Sequence, residues 1–264
     1  MWMRIPLLIS LLLVALAAKA ETIVLIQGYQ AKGADWRNSG ITVELTRAGW
    51  ADGGHIRSGS VPAKPVSPHF YTVELTTEAQ LLKQLEELSS HIQRITKGRE
   101  GETLILVGHS AGGVLGRLFM VKHPEPGVAT LITFSSPHLG TESAEMGMML
   151  GQSPMGMISR MLGEENDLLG RSQGLFFDLV RERPGSLLFW LNRQPHPQAR
   201  YISVVRDERL SWFGDMVVPV WSQDMNQVHV LRGRAITIPT SGGHSLTEED
   251  GQLLVRILRR LRVS

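Results

Sequence analysis

The sequence predicts one α/β domain, built on a mostly parallel sheet that helices cover on both faces. Apolar runs rich in β-branched residues alternate along the chain with segments of helical periodicity, which is the order expected of strands joined by crossover helices. The runs are apolar at successive positions, as in strands buried on both faces. The 264 residues suffice for one sizeable core, and they contain no internal repeat.

The first 20 residues have the features of a signal peptide. Arg4 supplies a positive charge before a short apolar stretch, Ile5–Ala18, and Ala18-Lys19-Ala20 is a small-x-small cleavage signal. The apolar stretch is shorter than the about 20 residues that span a bilayer. We therefore expect export to the periplasm or the medium, with cleavage after Ala20 and a mature domain at residues 21–264. An uncleaved N-terminal membrane anchor is the alternative.

The secondary structure can be predicted segment by segment. Six apolar runs predict strands: Thr22–Gln27, His69–Leu75, Thr103–Val107, Ala129–Phe134, Tyr201–Val205 and Ala235–Ile238. Helical spacing or end signals predict four helices: Ile41–Ala48, Leu81–Ile95, Ala111–Lys122 and the stretch after Ser245. Capping boxes at Thr77/Gln80 and Ser245/Glu248 are expected to open the second and the last of these helices. Residues 51–68, rich in Gly, Pro and Ser, predict a long surface loop.

A serine motif stands where a predicted strand gives way to a predicted helix. Gly108–Gly112 (GHSAG) matches G-x-S-x-G, the nucleophile elbow. This tight turn raises the serine oxygen above the sheet, and glycine fits at both flanking positions because side chains there would collide. The motif therefore predicts Ser110 as a nucleophile. A glycine-rich turn with an uninvolved serine is the alternative, and neither phosphate-binding glycine motif is present.

A serine nucleophile needs a histidine base, and with this elbow the base comes last in the chain, near the end of a later strand. His244 meets that condition, because a flexible glycine-containing turn delivers it directly after the last predicted strand. His109 lies inside the motif and is expected to point away from Ser110 and pack beneath the site. His244 is therefore the candidate base.

The base in turn needs a carboxylate that orients its imidazole ring. Three aspartates lie between the last two predicted strands: Asp207, Asp215 and Asp224. The apolar segment Met-Val-Val-Pro-Val follows Asp215, so this carboxylate is expected at the point where a loop meets apolar packing. Asp215 is therefore the favoured acid, and Asp207, closer to the preceding strand, is the alternative.

Two backbone N–H groups are needed to stabilise the oxyanion that forms when an acyl carbonyl is attacked. One is expected from Ala111, the residue after the nucleophile. The other is expected from the loop after the first strand, where Tyr29 is the candidate. A plain turn at the end of that strand is the alternative.

These motifs together resemble the α/β-hydrolase superfamily, and the resemblance covers nearly the whole mature chain. They are most similar to bacterial triacylglycerol lipases and to GPI inositol-deacylase-like hydrolases. Four segments carry the similarity: Val107–Gly113 (elbow), Ser136–Gly140 (similar to the T-P-H-x-G segment), Gly214–Pro219 with Trp221–Gln223 (the acid segment) and Gly243-His244 (the histidine segment). Gln27-Gly28 departs from the family's His-Gly at the oxyanion strand. The resemblance implies the α/β-hydrolase fold and hydrolysis of carboxylic esters.

Residues 141–199 separate two predicted core strands and predict a helical cap over Ser110. Six of the 11 methionines fall between Met146 and Met161, and an aromatic cluster around Trp190 follows. Methionine is flexible, so this segment suits a lid that repacks around acyl chains and contacts a membrane peripherally. An ordinary helical cap with a methionine-filled core is the alternative.

The sequence therefore predicts a serine esterase or lipase that acts on a small-molecule or lipid ester with no metal or organic cofactor. An acyltransferase or a thioesterase could use the same three residues, and a non-catalytic lipid-binding protein of the same fold is a third alternative. Nucleic-acid binding is not expected, because the arginines of the last helix are not interleaved with aromatic residues.

Overall fold

A parallel sheet forms the centre of the molecule in the computed structural model, which describes residues 20–125, 127–145, 168–207 and 215–263. Seven strands make up this sheet: Glu21–Ile26 (β1), Ala51–Ile56 (β2), His69–Val73 (β3), Thr103–His109 (β4), Val128–Phe134 (β5), Arg200–Arg206 (β6) and Ala235–Thr240 (β7). Their order across the sheet is β2-β3-β1-β4-β5-β6-β7, and every neighbouring pair is parallel. The carboxyl ends of the strands consequently meet at one edge, which is where α/β folds place their sites.

Helices cover both faces of this sheet. The described helices are Asp35–Asn38 (α1), Ile41–Arg47 (α2), Leu81–Thr96 (α3), Ala111–Lys122 (α4), Leu168–Leu179 (α5), Leu187–Leu191 (α6), Val220–Gln223 (α7) and Glu248–Val263 (α8). Alternate residues of β1 divide the core: Val24 and Ile26 pack with α3, α4 and α5, whereas Ile23 and Leu25 pack with α1, α2 and α8. This arrangement confirms the predicted α/β fold.

The edge strand β2 was not expected, because residues 51–68 predicted a loop throughout. Its sequence, ADGGHI, contains two glycines, and the register with β3 shifts between Asp52 and His55. A side chain at Gly53 would collide with the ring of Tyr71 on β3. Glycine here permits the close approach of an aromatic ring. A residue type that usually ends strands is therefore part of strand β2.

Both predicted capping boxes are wrong, although the helices exist. The first N–H of α3 donates to Asp178 Oδ2 of α5 at 2.7 Å, and the N-cap residue Gln80 makes no side-chain capping bond. At the last helix the reciprocal contact comes two residues later than expected, with Thr247 N–H donating to Asp250 Oδ2 at 2.9 Å. A distant carboxylate thus replaces a local cap at α3.

The described part of the cap segment is bonded to the core. Glu182 N–H donates to Leu139 O at 3.1 Å, and the buried Arg117 of α4 donates to Asn192 Oδ1 at 2.6 Å. Asn192 in turn donates to His138 O at 3.1 Å. The end of the cap is therefore fixed to the helix that follows the elbow.

Two predictions from the sequence lie outside the described residues. One is the signal peptide, of which only the last residue, Ala20, is described, and the other is the methionine-rich part of the cap, at residues 146–167. Among the helices that are described, none is both long and apolar enough to cross a bilayer.

Candidate active site

Ser110 occupies a strained turn between β4 and α4. Its backbone lies at φ 52° and ψ −128°, a conformation that non-glycine residues rarely adopt. Its N–H donates to Phe134 O of β5 at 2.9 Å, and the residue is buried. The turn therefore fixes Ser110 at the carboxyl end of the sheet.

The glycines of the elbow are required by close packing. A Cβ on Gly108 would collide with the backbone of Gly113, and one on Gly112 would collide with the carbonyl of Gln27 at the end of β1. A Cβ on Gly113 would collide with the Ser136 hydroxyl. Three glycines in six residues thus allow α4 to start directly against three strand ends.

The structure brings Ser110, His244 and Asp215 together, although they are far apart in the chain. Ser110 Oγ lies 3.0 Å from His244 Nε2, and His244 Nδ1 lies 2.8 Å from Asp215 Oδ2. Because a carboxylate only accepts, the Nδ1 nitrogen of His244 carries the proton that it donates. His244 Nε2 then presents a lone pair to the Ser110 hydroxyl, which is the tautomer a general base needs.

The carboxylate of Asp215 is buried and held by several donors. Burial alone would raise its pKa, but the hydrogen bond and charge of His244, with the backbone N–H groups of Val218 and Val217, hold the pKa below its ordinary value. Both backbone donors lie 2.9 Å from Oδ1. Asp215 is therefore ionised at neutral pH and can only accept from His244.

The other two candidate aspartates have different surroundings. Asp207 follows β6, and its N–H donates to Thr240 O at 3.0 Å. Asp224 Oδ1 accepts from Asn226 N–H at 2.9 Å and from the Thr237 hydroxyl at 2.7 Å. The hydrogen bond to His244 is made by Asp215.

The residues expected to supply the oxyanion donors adjoin Ser110 or a residue packed against it: Ala111 follows Ser110 directly, and Tyr29 follows Gly28. Ala111 is the first residue of α4, so its N–H has no partner within the helix. Gly28, just before Tyr29, lies so close that a Cβ there would be 2.7 Å from Ser110 Cβ. Neither Ala111 N–H nor Tyr29 N–H donates to another described residue. The Tyr29 side chain points to the cap, with its hydroxyl 3.0 Å from Ser172 Oγ.

Sequence reasoning missed the role of Gln223, a buried residue at the end of α7. Its Nε2 donates to Val218 O at 2.7 Å and to Asp215 Oδ2 at 3.3 Å, while its Oε1 accepts from Arg206 N–H at 2.8 Å. It thus ties the acid segment to β6. The only signal in the sequence was the similarity of the Trp-Ser-Gln segment to lipases, which indicates no contact.

Within the described part of the chain, no group of three or more histidine, aspartate or glutamate side chains is placed to hold a metal ion. The chain has no cysteine.

A known protein family matches the N-terminal half of the chain. The PGAP1-like alpha/beta domain family matches residues 18–149, half of the chain, which includes β1 to β5 and the elbow. The chain belongs to this family. A comparison with curated protein sequences gave no match.

Solved structures share the fold at low sequence identity. The mature Bacillus licheniformis lipase BlEst2 is 17% identical with a TM-score of 0.58, over 93% of each chain. The product of gene lin2722 from Listeria innocua is 12% identical with a TM-score of 0.56, over 90% of this chain and 92% of that one. The metagenomic carboxyl esterase MGS0156 is 12% identical with a TM-score of 0.54, over 91% and 75%. These similarities confirm the α/β-hydrolase fold.

Proposed function

We propose that this protein is a serine hydrolase that cleaves carboxylic esters, with Ser110 as nucleophile, His244 as general base and Asp215 as the orienting acid. One observation carries the proposal: an unbroken chain of hydrogen bonds, 2.8 and 3.0 Å long, runs from a buried carboxylate through His244 to Ser110. The position of Ser110 at a strained elbow supports its role as the nucleophile, since backbone strain of this kind concentrates at functional sites.

The proposed reaction has two steps. Ser110 gives its proton to His244 Nε2 while its oxygen attacks the ester carbonyl, and the N–H groups of Ala111 and Tyr29 stabilise the oxyanion. His244 then protonates the leaving alcohol, which leaves an acyl group on Ser110. Water attacks this acyl-enzyme, again losing its proton to His244, and the acid product departs as the serine hydroxyl is restored.

We propose a lipid or acyl ester as the substrate, hydrolysed after export by a protein whose cap acts as a lid and contacts the membrane peripherally. Support comes from Tyr29, whose ring packs edge-on against Phe176 of the cap at 5.2 Å, so that an aromatic contact joins the predicted oxyanion loop to the cap. A structure that shares the fold carries the name of a lipase, and another that of a carboxyl esterase.

The first experiment is a screen of p-nitrophenyl esters from acetate to palmitate with purified residues 21–264, together with fluorophosphonate labelling mapped to a peptide. We expect ester turnover and labelling of Ser110 alone. Labelling of a different serine, or no turnover of any ester, would contradict the proposal.

A second experiment tests the lipid substrate. If the cap is a lid, activity on a long-chain ester should rise sharply once the ester exceeds its solubility, because an interface then receives apolar surface whose exposure to water costs about 25 cal/mol per Å². Plain saturation with every chain length would instead indicate a soluble ester and a fixed cap. Adding an alcohol acceptor distinguishes a transferase, which would form a new ester in place of the free acid.

A further inference from the structure

In the part of the chain that the structure describes, the loop that carries His244 has one hydrogen-bonded attachment through its backbone to the rest of the protein. Among the described residues, the backbone of residues 241–246 makes a single hydrogen bond, between His244 O and His109 Nε2 at 2.8 Å. The loop is otherwise open: five of the seven residues 241–247 are exposed, and Gly242 lies at φ 115°. A segment of this kind has many accessible conformations, so a single hydrogen bond to a buried residue strongly restricts which of them it adopts.

The protonation of His109 follows from its partner. A carbonyl oxygen only accepts, so His109 Nε2 carries the hydrogen that it donates to His244 O. Burial lowers the pKa of His109 to about 4; the neighbouring charges of His244 and Arg206 act in the same direction, whereas the bond to His244 O and the charge of Asp215 oppose it. His109 is therefore neutral at neutral pH. With the two rings 4.9 Å apart, a neutral His109 adds no positive charge beside His244 when His244 takes a proton.

We propose that His109 is a positioning residue: its Nε2–H holds the backbone of His244 and thereby keeps the base in register with the Ser110 hydroxyl. His109 ends β4 and directly precedes Ser110, so the nucleophile and the tether of the base are fixed to the same strand end. The motif predicted that His109 packs beneath the site; the structure places its ring against that of the base, with the two ring centroids 4.9 Å apart. The proposal rests on the proposed function, because the register affects a rate only if Ser110 reacts.

Three substitutions at His109 separate the hydrogen bond from the packing. His109→Leu fills the site without a donor, His109→Asn has a donor too short to reach, and His109→Gln has an amide nitrogen at nearly the reach of Nε2. We expect Leu and Asn to lower kcat about 10- to 100-fold, since small misplacements of a catalytic group have effects of this size. KM should change little, because the tether does not contact substrate, and Gln should recover most of the lost rate.

A readout independent of activity is amide hydrogen exchange of the peptide that covers residues 240–247. Exchange should be faster in the Leu and Asn variants than in the wild type, and Gln should slow it again. His91→Leu is the matched control, because His91 is equally buried and its Nε2 lies 2.8 Å from another backbone carbonyl, that of Glu74. This control should lower Tm without changing kcat.

The outcomes are distinguishable. If the Leu and Asn variants match the wild type in kcat and exchange, or if Gln recovers nothing, His109 does not act through this hydrogen bond. If Leu fails to fold, the comparison of Asn with Gln decides the same question. If the wild type neither hydrolyses esters nor reacts with fluorophosphonate, the proposed function fails, and the exchange data alone then decide whether His109 tethers the loop.

Discussion

The two sides of the candidate active site are held in place by different means. The elbow at Ser110 is surrounded by buried residues, and every residue of α4 from Ala111 to Met120 is buried. Across the site, His244 lies in a loop that is mostly exposed to solvent. Packing and backbone geometry fix the nucleophile, whereas a few individual hydrogen bonds fix the base and the acid.

This difference predicts how variants should behave. At the elbow a Cβ on Gly108 would meet the backbone at the start of α4, and one on Gly112 would meet the backbone at the end of β1, so most changes should affect folding. On the side of the base, removing one hydrogen bond leaves the core intact and alters only the positions of the His244 and Asp215 side chains. Substitutions there should lower kcat while Tm changes little.

The largest expected effect is that of Ser110→Ala. Without the nucleophile, the proposed mechanism loses about 10⁶ in kcat, and the fold should survive because only one oxygen is removed. Kinetics with a soluble ester and a thermal melt measure both effects. Ser135→Ala is a matched control, because Ser135 is also buried at a positive φ of 50° but lies outside the chain of hydrogen bonds. A Ser110→Ala protein with more than about a thousandth of the wild-type rate would show that another group attacks the ester.

The next effect in size is expected for Asp215→Asn. An amide at this position no longer selects the tautomer of His244 with a proton on Nδ1, so kcat should fall about 10⁴-fold. Asp207→Asn removes the other candidate acid and should do far less. The reverse result would transfer the role to Asp207 and leave the reaction class unchanged, and rates measured over a range of pH would show which carboxylate matters.

Local patterns explain why so much of the site could be predicted. The segment from Thr103 to Lys122 combines an apolar run, a glycine motif and a helical stretch, and its strand and helix bounds differ from the prediction by at most two residues. Asp215 and His244 could be selected because chain order restricts the candidates.

Contacts between distant residues explain most of what the sequence did not predict. The bond from His109 to His244 spans 135 positions, and the cap of α3 by Asp178 spans 97. The bond between Gln223 and Arg206 spans only 17 positions, but it joins a short helix to a strand end. No local periodicity encodes such pairs, since each depends on how the strands are ordered in the sheet.

Gln223→Leu is expected to have a moderate effect that sharpens the contrast between the two sides. It removes one donor from Asp215 and releases the acid segment from β6, which should lower kcat about 10-fold, the equivalent of one hydrogen bond to a charged group. Gln223→Glu should be worse, because it places a second carboxylate beside Asp215. Gln84→Leu is the matched control: Gln84 is equally buried and also donates to backbone carbonyls, but in α3. If both Leu variants lower kcat equally, the effect is a general loss of stability.

The smallest expected effect concerns stability alone, and it arises where α5 packs against α3. Burial raises the pKa of Asp178 to about 6, opposed by the hydrogen bond from Leu81 N–H. The folded protein therefore binds a proton between about pH 4 and pH 6 that the unfolded chain does not, and the stabilisation is complete below pH 4 and lost as the pH rises through 6. Asp178→Asn cannot ionise and should abolish this dependence.

Thermal melts at several pH values test this prediction. At pH 4.5 the Asn variant and the wild type should melt within about a degree or two of each other, and at pH 7.5 the variant should melt a few degrees higher. The kcat of the variant should follow that of the wild type at every pH, because Asp178 acts on the packing of α5 against α3 and not on the register of His244. A melting difference that is independent of pH would show that the amide acts through its hydrogen bond to Leu81 and that the charge of Asp178 has no part in it. A change in kcat with unchanged melting would instead show that the α3 contact belongs with the hydrogen bonds that position the catalytic groups.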